Sequence, residues 1–577
     1  MAEATDGAEA KVRLRYMATE PGAPDKSKLL EGWEYMTREA LLAGPVSRRV
    51  AIIDIDPETG AVLPGAAFLP PTAKRKLGRY MIKNEGNPNA TDFQQVSVFG
   101  AIMKTMHMFE ESDVLGRPLR WAFDGEQLLV VPRAGRMTNA FYHRDSRSLQ
   151  FFFFTAANAK DTVYTCLSPD IVAHETTHAI LDGIAPDLYD AVSPQSLALH
   201  EAIADLSAVI FALRTRTLRL DVLERSKGDL NRFDAFNEIA RQFGEAAYGA
   251  DRPLRNLFNE DSFGSWGTPP ASNDPHDLST VLSGALYRLL IKEFEEAKTR
   301  IIKGGAAADG AEDDEENDGG AAPGGKALTP FEASGKALAN AGQKFKRIIF
   351  RGLDYLPPGE ISFADYGRAV IAADQSTNPN DHSARDVIKA EFERRAIVTK
   401  TSELDPIPPD LALPADLDLD LLVRSDWAAY QFAETRRTGL MIPADIPFEV
   451  RPRLDVTKTT YRSEGRAEKR ECIIKVAWRE DEVIEHAGGF FDKLSITYGT
   501  TLAIDWETKA ISALLSTSRL HASQKSEATS VNSAMRKEFL AKCLAEGSLE
   551  IGAPNVQIHE RRLRLRAMGQ MLHMAGH

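Results

Sequence analysis

The chain has 577 residues, of which 43% are hydrophobic and 27% are charged, and its formal net charge is −13 at pH 7. This length predicts several domains, and the composition is that of a globular protein. The acidic balance argues against nucleic acid and anionic membranes as partners, because phosphate binding requires a basic footprint. Three isolated cysteines, Cys166, Cys472 and Cys543, indicate neither a disulfide framework nor a thiolate zinc site.

Nothing in the sequence predicts a membrane span, since no stretch approaches about 18 consecutive apolar residues. The N-terminal residues MAEATDGAEAKVRLRY lack the apolar core of a secretory signal. We therefore expect a cytoplasmic protein, with a trimmed mature form or export by a leaderless route as the alternatives.

Residues 1–85 are predicted to be an N-terminal region with a short β element. Apolar residues at helical spacing predict a helix around residues 29–42. The stretch RRVAIIDIDPETGAVLPGAAF predicts a strand, a turn and a second strand, with the turn supplied by Asp56, Pro57 and Gly60.

Residues 86–400 are predicted to form one domain of two lobes. In the upper lobe, 86–167, FQQVSVFGAIMKTMHMFEE predicts a helix, and QLLVVPRAG and LQFFFFTA predict strands. Residues 168–400 have helical periodicity, interrupted at 304–326 by an acidic, glycine-rich segment that we expect to be a disordered insertion.

A linker and a further domain are expected after this unit. Residues 401–420 are rich in proline and aspartate and indicate a linker. Residues 421–577 predict a separate α+β domain, in which ECIIKVAW and KLSITYGTTLAIDWET are strands and SAMRKEFLAKCLAEGS is a helix.

The motif HETTH, residues 174–178, points to a metal site. Positions i and i+4 of a helix lie on one face about 6 Å apart, so His174 and His178 can hold one ion. Glu175 lies beside that pair, where a carboxylate can polarise a zinc-bound water. The competing interpretation is two partly exposed histidines on a surface helix.

A second helix, predicted from HEAIAD at residues 200–205, can complete this site. A catalytic zinc ion normally takes three protein ligands. Glu201 and Asp205 share a helix face, so one can bind the metal while the other accepts a hydrogen bond from a ligating histidine. We expect His200 to point elsewhere and to hydrogen-bond locally.

These two segments resemble the thermolysin-like family of zinc endopeptidases, the gluzincins in which HExxH is followed by a helix carrying ExxxD. The resemblance implies that His174, His178 and Glu201 bind Zn²⁺. It further implies that Asp205 orients the first histidine and that Glu175 is the general base.

The resemblance covers about residues 90–400. NAFY, residues 139–142, is similar to the family's edge strand, in which Asn139 and the carbonyl group of Ala140 would bind the substrate backbone. Tyr189 has the spacing of the family's transition-state tyrosine. PLRNL is similar to the segment whose arginine contacts the substrate carbonyl, which favours Arg255 over its neighbour Arg252 for that role.

The segment NDPHDLSTVLSGALYRL resembles the part of the family that supplies an oxyanion-stabilising histidine, here His276. The aspartate that normally partners this histidine is absent, because position 271 is alanine, and Asp274 or Asp277 is the expected substitute. The family's calcium carboxylates are not carried over either, since residues 209–217 read VIFALRTRT.

The sequence therefore predicts an α+β protein with a two-lobed thermolysin-like catalytic domain and an additional C-terminal domain of unknown role. The expected function is a zinc-dependent metalloendopeptidase acting on peptide or protein substrates. A zinc-binding scaffold, and a zinc hydrolase or aminopeptidase of another kind, are the alternatives. The retained Glu175 argues against the scaffold, because a purely structural site has no use for a general base.

Overall fold

The structure is a computed structural model, and it describes residues 10–18, 30–155, 162–231, 238–239, 255–263, 273–303, 328–406, 410–462, 465–484, 491–518 and 527–574. Of the described residues, 42% are helical and 23% are in strands, which confirms the mixed α+β class. The predicted acidic insertion at 304–326 and Arg252 lie outside the described residues.

The elements are numbered in chain order over the described residues. Helices α1–α13 span Thr91–Glu110, Pro169–Ile184, Pro186–Asp190, Pro194–Leu213, Arg216–Ser226, Pro275–Ile302, Pro330–Tyr355, Phe363–Thr377, Ser383–Arg394, Leu419–Arg424, Asp426–Glu434, Glu527–Ala545 and Met568–Met574. Strands β1–β19 span Ala10–Met17, Leu30–Thr37, Val50–Ile52, Phe68–Leu69, Arg79–Tyr80, Leu128–Val131, Ala140–His143, Ser148–Phe151, Phe153–Thr155, Thr162–Tyr164, Glu238–Ile239, Arg255–Asn256, Phe448–Val450, Leu454–Arg462, Gly465–Val483, Lys493–Asp505, Ile511–Ser516, Val556–His559 and Arg562–Leu565.

The N-terminal region contains one element that the sequence mispredicted. Residues 30–37 form strand β2 and not a helix, because they pair antiparallel with β1 along its whole length. Such pairing with a distant segment overrides local periodicity. The predicted turn at Asp56 is confirmed, since the Asp56 carboxylate accepts the N–H groups of Glu58 and Thr59 at 2.9 Å each.

Residues 50–151 contain a four-stranded mixed sheet of order β3, β6, β8, β7. Strands β3, β6 and β8 run parallel, and β7 pairs antiparallel with β8. In this order β7 is an edge strand of the described sheet. The long buried helix α1, predicted from the sequence, contacts both β1 and α2.

Helices α2, α4, α6, α7 and α8 pack on one another and form the helical part of the fold. Their starts follow local rules: the Ser168 side chain caps α2, and Thr329 and Ser362 form capping boxes on α7 and α8. Among the described helices, α4 alone is long and apolar enough to cross a membrane, and its apolar window is completely buried in the fold. A core helix has the same properties.

The C-terminal residues build a second hydrophobic core on a seven-stranded sheet. The sheet runs in the order β13, β15, β16, β19, β18, with β14 and β17 paired alongside. Helix α12 confirms the predicted C-terminal helix. Hydrogen bonds join this sheet to the helical part: Thr459 donates its N–H to Ser112 at 2.7 Å, and the Tyr355 hydroxyl donates to Glu471 at 2.7 Å.

Candidate metal centre

Helix α2 brings two imidazoles together, as the HETTH spacing predicted. Pro169 occupies the first turn, where its missing N–H is not needed, and the Ser168 hydroxyl accepts the Ile171 N–H. His174 and His178 are buried, and their Nε2 atoms lie 2.9 Å apart. The alternative of two exposed surface histidines is therefore excluded.

Helix α4 packs against α2 and adds two buried carboxylates to the same cluster. The Glu201 carboxylate oxygens lie 3.4 Å from His174 Nε2 and 3.6 Å from His178 Nε2. Asp205 contacts the opposite side of the first ring, with 3.0 Å between Asp205 Oδ1 and His174 Nδ1. The two helices thus form one cluster.

The donor set is one that can hold a metal ion. Ligand atoms about 2.1 Å from a tetrahedral zinc lie roughly 3.4 Å from one another, close to the separations between Glu201 and the two imidazoles. The Glu175 carboxylate is also near, since His174, Glu175 and His178 offer ligand atoms that all lie within 4.8 Å of one another. Histidine-carboxylate metal sites have donors of this kind. They also have a carboxylate on the outer nitrogen of a ligating histidine, as Asp205 is on His174.

The electrostatics of the cluster favour a cation. Burial disfavours the charged form of His174, but hydrogen bonds to Asp205 and Glu201 outweigh burial and raise the pKa of His174 to about 10. The two buried carboxylates therefore stabilise positive charge between α2 and α4. Because a metal ligand must be a neutral imidazole, a metal ion entering the cluster replaces a proton there.

Glu175 is oriented differently from the other acidic groups. It is buried, and its Oε2 atom accepts the backbone N–H of Tyr142 on β7 at 3.1 Å. This hydrogen bond turns the carboxylate toward the edge strand, whereas Glu201 faces both imidazoles. Of the two glutamates, Glu201 therefore fits the ligand position better and Glu175 remains beside it.

His276 lies next to the cluster, at the start of α6. Its Nε2 atom is 3.8 Å from Glu201 Oε2, and its Nδ1 atom is 3.3 Å from Asp274 Oδ1. Asp274 also caps the helix by accepting the His276 N–H at 2.9 Å, and hydrogen bonding to His276 lowers the pKa of Asp274. Of the two substitutes that the sequence left open, Asp274 is the one in contact.

Of the expected substrate-binding residues, Asn139 precedes and Ala140 begins β7, an edge strand of the described sheet. Asn139 is buried, and its Oδ1 atom accepts the N–H of Ala140 at 2.8 Å. Arg255 begins β12, whose partner β11 contacts α4, but the side chain of Arg255 lies outside the described part of the chain. Its role stays a prediction.

Tyr189 is fully buried on α3. Its hydroxyl donates to the carbonyl oxygen of Tyr142 at 3.2 Å, and the Arg144 guanidinium lies over its ring at 4.6 Å. Its ring centroid is 5.6 Å from that of His200. In this conformation the Tyr189 hydroxyl is hydrogen-bonded to the backbone of β7. A transition-state role for Tyr189 stays a prediction.

Sequence reasoning missed two contributors to the site. His200 does not point away: its Nδ1 atom lies 2.7 Å from Nδ1 of His178, and the two rings stack with centroids 4.9 Å apart. Asp182, on α2, accepts the Tyr142 hydroxyl at 2.8 Å and so ties the histidine helix to the edge strand. Its position, four residues after His178, was the signal available in the sequence.

A scan against protein-family models matches none of them, and a search of curated proteins finds no relative. The interpretation of the site therefore rests on its residues and geometry.

Proposed function

We propose that this protein is a zinc-dependent metalloendopeptidase with a two-lobed, thermolysin-like catalytic domain. The observation that carries the proposal is that the three buried carboxylates make different contacts. Glu201 faces His174 and His178, Asp205 contacts the outer nitrogen of His174, and Glu175 on α2 accepts a hydrogen bond from the edge strand. This arrangement supplies three possible protein ligands and a separate carboxylate that can act as a base, which suits metal-assisted hydrolysis.

His174, His178 and Glu201 would hold the ion. When bound, Zn²⁺ would lower the pKa of a coordinated water toward 7 and polarise the scissile carbonyl group. Glu175 would accept the proton of the attacking water and pass it to the leaving amine. Its hydrogen bond from Tyr142 supports this role, because it orients the carboxylate toward the strand along which a peptide would lie.

His276 is the better supported oxyanion stabiliser. Asp274 contacts its Nδ1 atom, which leaves Nε2 facing the cluster at 3.8 Å from Glu201. An oxyanion donor of this kind contributes about a hundredfold or more to the rate. Tyr189 would first have to give up its hydrogen bond to the Tyr142 carbonyl oxygen to act in the same way.

The substrate would lie extended along β7. An edge strand has one side without a neighbouring strand, and a peptide can add to it by backbone hydrogen bonds. On this strand the Tyr142 N–H and carbonyl are taken by Glu175 and Tyr189, so Asn139 and the Ala140 carbonyl are the groups expected to hold the substrate. Arg255 would contact the scissile carbonyl.

Two glutamate variants test the proposal. Glu175→Gln should keep the fold and one zinc ion per chain, while hydrolysis of casein falls by about a hundredfold or more because the base is lost. Glu201→Gln should instead weaken zinc binding, since an amide is a poorer ligand than a carboxylate. The exposed Glu295, changed to Gln, is the matched control and should change neither property.

The alternatives predict different results. If the wild-type protein binds zinc but cleaves no peptide, and Glu175→Gln is indistinguishable from it, the zinc-binding scaffold is the better interpretation. Release of single N-terminal residues without internal cleavage would indicate an aminopeptidase. Absence of stoichiometric zinc after expression in zinc-replete medium would contradict every role given above.

A further inference from the structure

The C-terminal sheet presents a concentration of arginines on one face. Arg479 on β15 is paired with Thr497 on β16, and β19 runs parallel to β16 on its other side. Alternate residues of a strand share a face, so Ser495 and Thr497 lie between Arg479 on one flank and Arg564 on the other. Two hydroxyl groups are therefore bracketed by guanidinium groups from neighbouring strands.

A groove of 690 Å³ runs over this face. We call it the arginine groove and define it by Arg479, Ser495, Arg562 and Arg564, with Ile446 and Pro447 as an apolar wall. A smaller cavity, which also contacts Arg479 and Arg564, adjoins it and is lined in addition by Arg566. The feature belongs to the C-terminal domain and is separate from the candidate metal centre.

Four acidic residues around the groove and the adjoining cavity are already engaged by other cations, and a fifth, Glu480, accepts a hydrogen bond from the Trp478 indole at 2.9 Å. Arg562 binds Asp481 at 2.7 Å. Further pairs join Asp187 to Arg451 at 3.0 Å, Asp190 to Arg144 at 2.6 Å and Glu360 to Arg536 at 2.5 Å. Within the residues that the structure describes, no carboxylate forms an ion pair with Arg479, Arg564 or Arg566.

Arg564 is repelled by two neighbouring arginines. Burial, followed by the nearby charges of Arg479 and Arg566, lowers the pKa of Arg564 from its ordinary value. A bound anion would relieve that repulsion, and the guanidinium groups are suited to bidentate contacts with carboxylates. These arginines without a carboxylate partner among the described residues occur on a chain whose net charge is −13.

We propose that the arginine groove binds an acidic stretch of peptide chain. A carboxylate-rich peptide can place several anions along the row of arginines at once, and it can also contact the apolar wall of Ile446 and Pro447. A free phosphate ion would use neither the length of the groove nor that wall. The inference goes beyond the proposed function and requires no zinc chemistry, although such a groove would let a peptidase collect acidic protein substrates.

The test measures binding of a fluorescein-labelled peptide of ten glutamates to the full-length, zinc-loaded protein by fluorescence anisotropy. The Glu175→Gln background keeps the peptide intact. The groove variant is Arg479→Gln with Arg564→Gln, both exposed positions. The charge-matched control is Arg470→Gln with Arg561→Gln, two arginines of the same domain that pair with Asp455 and Asp492.

We expect the groove variant to bind the peptide about tenfold more weakly or worse, and the control to stay within about twofold of the parent protein. A ten-glutamine peptide should not bind. Equal affinity of both double variants, or no binding of the glutamate peptide at all, would overturn the proposal. So would displacement of the peptide by inorganic phosphate at concentrations where chloride of the same ionic strength has no effect, because the ligand would then be a small oxyanion. These readouts do not depend on catalysis, so they can fail while the peptidase proposal stands.

Discussion

Gly569 on α13 packs closely against the ring of Tyr189. A methyl group added there would lie 2.6 Å from Cδ2 and 2.8 Å from Cε2 of Tyr189. Carbon atoms pack at about 3.5–4.0 Å, so Gly569→Ala must displace the helix or the ring by roughly 1 Å. The ring has little room to move, because Arg144, Tyr142 and His200 surround it.

The expected cost follows from this overlap. Overpacking of a well-packed region costs about 1–3 kcal/mol, while helix propensity favours alanine by up to about 1 kcal/mol. Gly569→Ala should therefore lower the free energy of unfolding by about 1–2 kcal/mol in urea titrations. Because Tyr189 packs on His200, which contacts His178, zinc affinity measured against a chromophoric chelator should also fall by about tenfold.

Gly335→Ala on α7 is the matched control. Its added methyl group would meet nothing nearer than Leu220 Cδ2 at 3.6 Å, an ordinary contact. Helix propensity should then dominate, and the variant should be as stable as the wild type or more stable by up to about 1 kcal/mol. If Gly569→Ala matched this control in stability and kept full zinc affinity, the reasoning from the Tyr189 contact would be wrong.

Two further predictions concern a glycine of the histidine helix and a buried carboxylate elsewhere in the fold. Gly183 on α2 lies very close to the carbonyl oxygen of Arg120, so that an added methyl group would overlap with it. Gly183→Ala should therefore lower the free energy of unfolding by about 3 kcal/mol. A urea unfolding curve that matches the wild type would contradict this prediction. Asp354 is buried, and burial opposes its ionisation, but Arg117 and Lys458 hold its pKa well below the usual range. The ionised carboxylate therefore stabilises the fold above about pH 4, and this stabilisation is lost as the pH falls below that value. Asp354→Asn should lower the free energy of unfolding by about 3–5 kcal/mol at pH 7. In urea unfolding between pH 7 and 3, the difference in stability between the variant and the wild type should shrink below pH 4 by about 1.4 kcal/mol per pH unit. A difference that stays constant with pH would contradict the effect of Arg117 and Lys458 on the pKa of Asp354.

The cluster of histidines and carboxylates could be predicted because its members stand at short spacings in the sequence. His174 and His178, and likewise Glu201 and Asp205, are four residues apart on helices, so each pair had to share a face. The sequence did not reveal how the two helices would pack. The contact between His200 and His178 depends on that packing, and for this reason His200 was expected to point away.

The errors and omissions outside the cluster have the same origin. Residues 30–37 have apolar residues at helical spacing, but pairing with β1 makes them a strand. The arginine groove joins Arg479 to Arg564 across three strands, and no motif links positions so distant in the chain. Tertiary packing decides where a side chain lies at a strand edge or between domains. The pattern and spacing of residues in a short stretch of sequence do not determine that packing.

Arg144 connects the histidine helix to the C-terminal domain. It follows β7 directly and donates to Asp182 on α2 at 2.8 Å and to Asp190 on α3 at 2.6 Å. Asp190 in turn accepts the backbone N–H of Ala567 at 2.7 Å, just before α13 begins. Because charge-assisted bonds of this kind fix geometry as well as contribute energy, the helix, the edge strand and the C-terminal segment form one hydrogen-bonded unit. The C-terminal domain therefore helps to set the position of β7 relative to the candidate metal centre, in addition to carrying the arginine groove.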